Sequence, residues 1–188
     1  LNQWTQSSTR FIDVKEWEAC GDKINLDDYI GRACYVGIDL SKTTDLTAMA
    51  LCFPPLEESG TFDIIMFFWM PEDRMSEKEN TDRVPYISWA SQGYIEATPG
   101  NVIDYAYIIQ TIDEVARMYD IKEIAIDPYG SASVIPKLQD MGLVVTEFRQ
   151  GFMSMSPATK EFESRILTRN IKHDRNPVMR WMIDNMVV

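Results

Sequence analysis

The sequence predicts an α/β fold: a mixed β-sheet, built from an antiparallel three-strand meander plus parallel strands, flanked by helices. Three strand-like apolar runs follow one another between residues 34 and 71, separated by short polar turns. Helical and strand-like segments alternate from residue 102 onward. The 188 residues are 45% apolar and 25% charged, which is ordinary for one globular domain.

The first half of the chain predicts the meander. Residues 34–41 and 46–53 are apolar strands joined by the turn "SKTTD", which suits an antiparallel hairpin. Residues 61–71, "TFDIIMFFWMP", form a third strand that ends at Pro71.

The second half predicts the helices and the remaining strands. Residues 72–92 are polar and partly helical, and 93–100 are extended. Apolar residues at 102, 105, 109, 112 and 116 have helical spacing. The other predicted elements are strands at 122–128 and 143–148 and helices at 131–141, 157–169 and 176–186, the last capped by Asn176 before Pro177.

The expected domain organisation is a connecting segment, residues 1–33, followed by one domain, residues 34–188. The connecting segment includes a short helix in "DVKEWEAC" with Asp13 as its cap. The chain starts without Met and ends on Val187-Val188, so we expect a fragment of a larger protein, truncated at the C-terminus. No apolar run approaches the roughly 20 residues that span a bilayer, so no membrane partner is expected.

Cysteine content and charge narrow the function classes. The three cysteines form no C-x-x-C pair and the chain has one histidine, which argues for reduced thiols and against a zinc centre. The net charge of −11 disfavours nucleic acid over most of the surface. Residues 149–180, however, carry seven basic and three acidic side chains. This segment is either a basic binding face or a set of solvated helices.

Two acidic residues interrupt strand-like runs. Asp39 lies in "VGIDLS" and Asp127 in "IAIDP", each after apolar residues and before a break in the strand pattern. If the two strands are neighbours, the carboxylates lie about 5 Å apart and favour either a shared proton or a shared divalent cation. Taken singly, each acid also fits a turn or helix cap.

The segments "GIDLSKTTDLTAMALCFP" and "IAIDPYGS" resemble the nuclease domain of the large terminase subunit of tailed bacteriophages. Further similarity runs from "LNQW" and "EWEAC" to "GFMSMSPATKEFE" and "HDRNPVMRWMIDNMVV". The resemblance implies a ribonuclease H-like fold and an endodeoxyribonuclease that cuts concatemeric double-stranded DNA with two Mg²⁺ or Mn²⁺ ions. It makes Asp39 and Asp127 the catalytic, metal-binding acids.

The chain departs from that family in two ways. It has no G-x-x-x-x-G-K-[ST] loop, so ATP hydrolysis is not expected of it. The resemblance also implies a further acid on a final helix, beyond the last residue here. Asp184 is a candidate for that ligand, whereas Asp45 more simply caps a turn and Glu163 is an alternative. We therefore expect this fragment to be weakly active or inactive.

The resemblance gives the basic segment a role in DNA contact. "GFMSMSPATK" is expected to be a loop that enters the helix at 157–169, and its backbone N–H groups, with Lys160, would hold a phosphate. His173 could instead pack in the core or cap a helix. The predicted DNA-binding residues are Arg149, Lys160, Arg165, Arg169, Lys172 and His173.

The resemblance also implies partners, and two other functions are considered beside the nuclease. In a parent protein the resemblance implies an ATPase motor domain, a small terminase subunit and a portal, acting in the host cytoplasm. The rival hypothesis is a non-catalytic module of the same fold that docks to DNA, portal or partner subunit. A third, an ATP-binding relative of ribonuclease H-fold kinases, lacks the glycine-rich phosphate loops.

Overall fold

A single mixed sheet organises the computed structural model, which describes residues 10–41, 45–58 and 60–187. Within these residues the sheet has seven strands in the order β4-β3-β2-β1-β5-β6, with β7 also paired to β3. The strands are β1 (Ala33–Asp39), β2 (Thr47–Phe53), β3 (Phe62–Pro71), β4 (Glu96–Thr98), β5 (Asp120–Ile126), β6 (Val145–Glu147) and β7 (Ile171–His173).

The strand pairing confirms the predicted sheet. β1, β2 and β3 form the antiparallel meander, and β1 pairs in parallel with β5, which pairs in parallel with β6. β1 therefore lies inside the sheet, between an antiparallel and a parallel neighbour. Residues 42–44 of the predicted β1–β2 turn lie outside the described residues. The segment "LNQW", part of the resemblance to the terminase nuclease domain, also lies outside them.

Helices cover both faces of the sheet. The longest apolar stripe is on α4, where Ile108, Ile112 and Val115 are buried against β1 and β5. Truncating Ile112 to alanine is expected to cost about 2–5 kcal/mol. The helices are α1 (Val14–Glu18), α2 (Glu72–Asp82), α3 (Tyr86–Ser91), α4 (Tyr105–Met118), α5 (Ile135–Asp140), α6 (Phe152–Leu167) and α7 (Pro177–Asp184).

The predicted loop over residues 151–156 is wrong, because α6 already begins at Phe152, five residues before the predicted start of that helix. Proline suits the first turn of a helix, so in the sequence residue 157 resembles a helix start. In the structure Pro157 lies inside the helix with its side chain exposed, so the carbonyl four residues earlier can bond water instead. β7 was also not predicted, because three residues are too few to show periodicity.

The described part of the predicted connecting segment packs against the domain. Asp13 caps α1 by accepting the Lys15 backbone N–H, as predicted. Trp17, 1% exposed, lies in a cluster with Ile166 of α6 and Ile183 of α7. No helix among the described residues is long and apolar enough to cross a membrane.

Candidate active site

The two predicted acids lie at the ends of adjacent strands. Ile38 of β1 and Ile126 of β5 are register partners in the parallel pair. Asp39 is the last residue of β1 and Asp127 follows β5 directly. Because parallel neighbours are about 4.8 Å apart, both side chains reach the same edge of the sheet. The two strands are therefore neighbours, which is the condition on which a shared cation site depended.

A cleft of about 400 Å³ opens beside the acids. The sheet forms the floor of the cleft with one glycine and three alanines: Gly37, Ala48, Ala50 and Ala125. These small residues leave room above this face of the sheet. The cleft, called the acid cleft below, is also lined by Asp39, Asp127, Met66, Phe148, Gln150 and Met155.

Asp127 combines a turn role with a free oxygen. Its Oδ1 accepts the Tyr129 backbone N–H at 2.9 Å, and its carbonyl accepts the Ser131 hydroxyl at 2.6 Å. These bonds turn the chain away from β5 toward α5, as the turn alternative predicted. They leave Oδ2 of Asp127 without a hydrogen bond to the described residues. The turn and the ligand roles are therefore compatible.

Asp39 is held by a residue that the sequence did not single out. The side-chain amide of Gln150 donates from Nε2 to Asp39 Oδ1 at 3.0 Å, although the residues are 111 positions apart. Gln150 follows β6, and only the strand order, which sets β6 beside β5, brings it to the acid cleft. No local motif around Gln150 carries that information.

The chemistry of the acid cleft fits a hard divalent cation. Among residues 10–41, 45–58 and 60–187, no lysine or arginine forms an ion pair with Asp39 or Asp127, so both charges are uncompensated. Carboxylate oxygens are the donors that Mg²⁺ and Mn²⁺ prefer. The same residues contain no group of three or more His, Cys, Asp or Glu placed for a metal.

The other candidate acids do not line the acid cleft. Asp184 forms an ion pair with Arg10 at 3.0 Å, on the polar side of α7. Asp45 pairs with Lys78 of α2. Glu163 lies on α6 and also does not line the acid cleft.

Two of the predicted DNA-binding residues lie at the opposite end of the sheet. Lys172 and His173 belong to β7, which pairs with the start of β3, whereas Asp39 is level with the end of β3. Lys172 Nζ is 3.3 Å from Asp63 Oδ2. The structure does not bring these residues to the acid cleft.

His173 is 3% exposed and stacks on Trp17, with ring centroids 3.7 Å apart. The Arg175 backbone N–H donates to His173 Nδ1, so Nε2 carries the proton and donates to the Trp17 carbonyl at 2.8 Å. Burial lowers the pKa of His173 below its ordinary value. The ring is thus packed and neutral.

The remaining predicted DNA-binding residues differ in how closely other side chains of the chain hold them. Arg165 stacks over Phe62 at 3.8 Å and pairs with Glu161, and Arg169 pairs with Glu16 and donates to its carbonyl. Arg149, which precedes Gln150, is 80% exposed, and its ion pair with Glu147 is long, at 4.0 Å. Lys160 is exposed on α6 and has no ion-pair partner among the described residues.

The family of the chain follows from sequence comparison. The sequence model of the terminase large subunit, endonuclease domain, matches residues 1–188. The chain belongs to this family.

Individual relatives agree with that assignment. The terminase large subunit of Enterobacteria phage HK97 is 34% identical over 191 residues, covering all of this chain and 37% of the relative. Protein YmfN of Escherichia coli K12 is 29% identical over 194 residues, covering all of this chain and 43% of the relative. This terminase endonuclease domain therefore spans less than half the length of these relatives.

Solved structures share the fold. The HK97 large terminase aligns with a TM-score of 0.83 at 32% identity, over 94% of this chain and 36% of that one. The large terminase nuclease of thermophilic phage G20c, solved with bound magnesium, aligns with a TM-score of 0.54 at 9% identity, over 84% and 67% of the chains. The ribonuclease H-like fold predicted for this terminase domain is thereby confirmed.

Proposed function

We propose that this chain is the metal-dependent endonuclease domain of a DNA-packaging terminase and cuts concatemeric double-stranded DNA. One observation carries the proposal: Asp39 and Asp127 stand side by side at the ends of two parallel strands, each with an oxygen that accepts no hydrogen bond from the described residues. The magnesium in the G20c nuclease, a protein of the same fold, supports the choice of Mg²⁺ or Mn²⁺.

The roles of the two acids follow from their chemistry. Asp39 and Asp127 would hold two divalent ions through their free oxygens, and like charges at this separation make each carboxylate a stronger cation ligand. The bound ions would supply a water-derived nucleophile and neutralise charge on the leaving oxygen. The turn at Asp127 fixes its carboxylate against the strand end, which limits its motion during the reaction.

Arg149 and Lys160 are the basic residues we propose for DNA contact. Arg149 adjoins the acid cleft, and Lys160 is on the helix whose Met155 lines it. Arg165, Arg169 and Lys172 have acidic partners at 3.3 Å or less, which weakens their case for phosphate binding, whereas the contact of Arg149 with Glu147 is longer, at 4.0 Å, and exposed. His173 is buried, which weakens its case further.

The context of the whole protein also belongs to the proposal. We propose that residues 34–188 are the nuclease domain and 1–33 its connection to an ATPase motor, and that the parent protein meets a small terminase subunit and a portal in the host cytoplasm. A third acidic ligand would come either from Asp184, after a rearrangement that breaks its ion pair with Arg10, or from sequence that follows residue 188.

Cleavage of supercoiled plasmid with Mn²⁺ tests this function. We would compare the chain as given, the chain extended through the next helix of its parent, and both with Asp39→Asn. The proposal predicts that the extended chain cuts, that the given chain cuts weakly or not at all, and that Asp39→Asn removes all cutting. Equal cutting by the Asn variant would contradict it.

A non-catalytic docking module is the second candidate. The observation in its favour is that no third acid joins Asp39 and Asp127 among the described residues. Manganese titration separates the two candidates, because a docking module needs no cation at these acids. If neither the given nor the extended chain binds Mn²⁺ or cuts DNA, the docking function replaces the nuclease.

A further inference from the structure

We infer that Gln150 is a positioning residue for the metal site: its amide N–H holds the Asp39 carboxylate so that one oxygen stays turned to the cation. The inference rests on the proposed function, since it concerns a cation bound by Asp39 and Asp127. Gln150 itself is not a catalytic residue in this proposal, because it acts through Asp39.

The backbone around Gln150 is fixed on both sides. Phe148 continues the β5–β6 ladder beyond β6 by donating its N–H to the Ile126 carbonyl at 2.8 Å. Gly151 donates to the Arg149 carbonyl at 2.8 Å, and α6 begins at Phe152. Gln150 is therefore held between a strand anchor and a helix start, which gives its side chain a defined origin beside the acid cleft.

A side-chain amide suits this position better than a charged donor. The amide satisfies Asp39 Oδ1 at 3.0 Å but adds no positive charge that would oppose a cation. It leaves Asp39 Oδ2 without a hydrogen bond to the described residues. The Tyr129 backbone N–H likewise donates to Asp127 Oδ1. Each acid therefore has one oxygen held by a neutral donor and one oxygen that can bind a cation.

The expected size of the effect comes from comparable metal sites. Residues that hydrogen-bond a ligating carboxylate orient it, and their loss typically weakens metal binding about 10–100-fold. A free carboxylate at an exposed strand end would otherwise rotate among several orientations and lose entropy when the cation binds.

The test is Mn²⁺ affinity measured by electron paramagnetic resonance on the chain without DNA. Gln150→Met keeps the length of the side chain and removes the donor, and we expect it to weaken Mn²⁺ binding about 10-fold or more. Gln139→Met, at an exposed glutamine of α5 outside the acid cleft, is the matched control and should leave affinity unchanged. Thermal unfolding without metal should be the same for both variants, because the lost bond is exposed.

Gln150→Leu repeats the test with a side chain that can neither donate to Asp39 nor bind a cation. The positioning role predicts the same loss of Mn²⁺ affinity as for Gln150→Met. Unchanged Mn²⁺ binding in both variants would overturn the positioning role.

Asp39→Asn and Asp127→Asn distinguish failure of this inference from failure of the proposed function. If both Asn variants lose Mn²⁺ binding while Gln150→Met retains it, only the role of Gln150 is wrong. If the unmodified chain and the Asn variants bind Mn²⁺ equally, or if neither the given nor the extended chain binds it, the metal site itself is wrong and the inference falls with it.

Discussion

Asp39 and Asp127 extend the register pair Ile38–Ile126 by one residue, at the ends of two adjacent parallel strands. The pairing is set by apolar packing, because both isoleucines are buried under α4. The two carboxylates are thus brought together by the hydrophobic core, while nothing in the described residues neutralises them. This combination of a rigid scaffold and uncompensated charge is what makes the acid cleft a candidate metal site.

Replacing either acid with asparagine should separate activity from stability. Asp127→Asn keeps the Oδ1 acceptor for Tyr129, so the turn should survive. Loss of one of two neighbouring negative charges relieves repulsion, and the melting temperature should be unchanged or slightly higher. Calorimetry and plasmid cleavage by the extended chain measure the two effects. A large fall in melting temperature for Asp127→Asn would show that the acid is structural.

Saturating Mn²⁺ should stabilise the chain if the two acids bind it. A ligand present at 100 times its dissociation constant adds about 2.7 kcal/mol to the free energy of unfolding. The double variant Asp39→Asn/Asp127→Asn should show none of this gain, and Asp184→Asn tests whether that residue contributes. Urea unfolding with and without Mn²⁺ provides the measurement. An equal gain in the double variant would locate the cation elsewhere.

Acid should weaken the anchor between Trp17 and His173. Burial lowers the pKa of His173 in the folded state below its ordinary 6.5, so the unfolded chain takes up the proton first as pH falls. The stabilisation from the neutral ring is therefore complete above about pH 6.5 and is lost progressively below it. The neighbouring charges Asp174 and Arg175 act on this pKa in opposite directions.

His173→Phe tests this pH dependence. Phenylalanine keeps a ring against Trp17 but cannot titrate or make the two ring hydrogen bonds. The variant should be less stable at pH 7, and the difference from the unmodified chain should shrink as pH falls toward 5. Urea unfolding across that range provides the measurement, and a pH-independent difference would contradict the buried neutral ring.

Asp63→Ala should be the most damaging polar substitution at the far end of the sheet. Asp63 is buried and accepts from the Tyr29 and Thr61 hydroxyls, both at 2.6 Å, besides pairing with Lys172. Without Asp63, the two hydroxyls lose their acceptor and the partly buried ammonium of Lys172 loses its ion-pair partner. We expect this to destabilise the fold by about 2–4 kcal/mol. Lys172→Met should cost less, because Asp63 keeps both hydroxyls. Chemical denaturation compares the two.

DNA affinity should respond more to Arg149 and Lys160 than to Lys172, because Lys160 has no ion-pair partner among the described residues and Arg149 has only an exposed one, Glu147, at 4.0 Å. Arg149→Met and Lys160→Met should each weaken DNA binding and lower the salt dependence, by roughly one unit of slope per lost phosphate contact. Lys172→Met is the matched control and should change neither, since its charge is paired with Asp63. Fluorescence anisotropy with a duplex in Ca²⁺ over a range of salt gives both quantities.

The sequence allowed the meander, α4, β5 and the strand-end positions of Asp39 and Asp127 to be predicted, because these rest on apolar runs with clear boundaries or periodicity. It misplaced the start of α6, where a tolerated proline imitates a helix start, and it missed β7, whose three residues are stabilised by pairing with β3. The contact between Gln150 and Asp39 could not be predicted for a different reason. Its partner Asp39 is 111 residues away, and their contact depends on the position of β6 in the sheet.

The most direct test of the account is a crystal of this chain soaked in MnCl₂, with an anomalous difference map calculated at the manganese edge. The account predicts density between the carboxylates of Asp39 and Asp127, with Gln150 still donating to Asp39. Manganese density at Asp184 or elsewhere, with none beside Asp39 and Asp127, would contradict it.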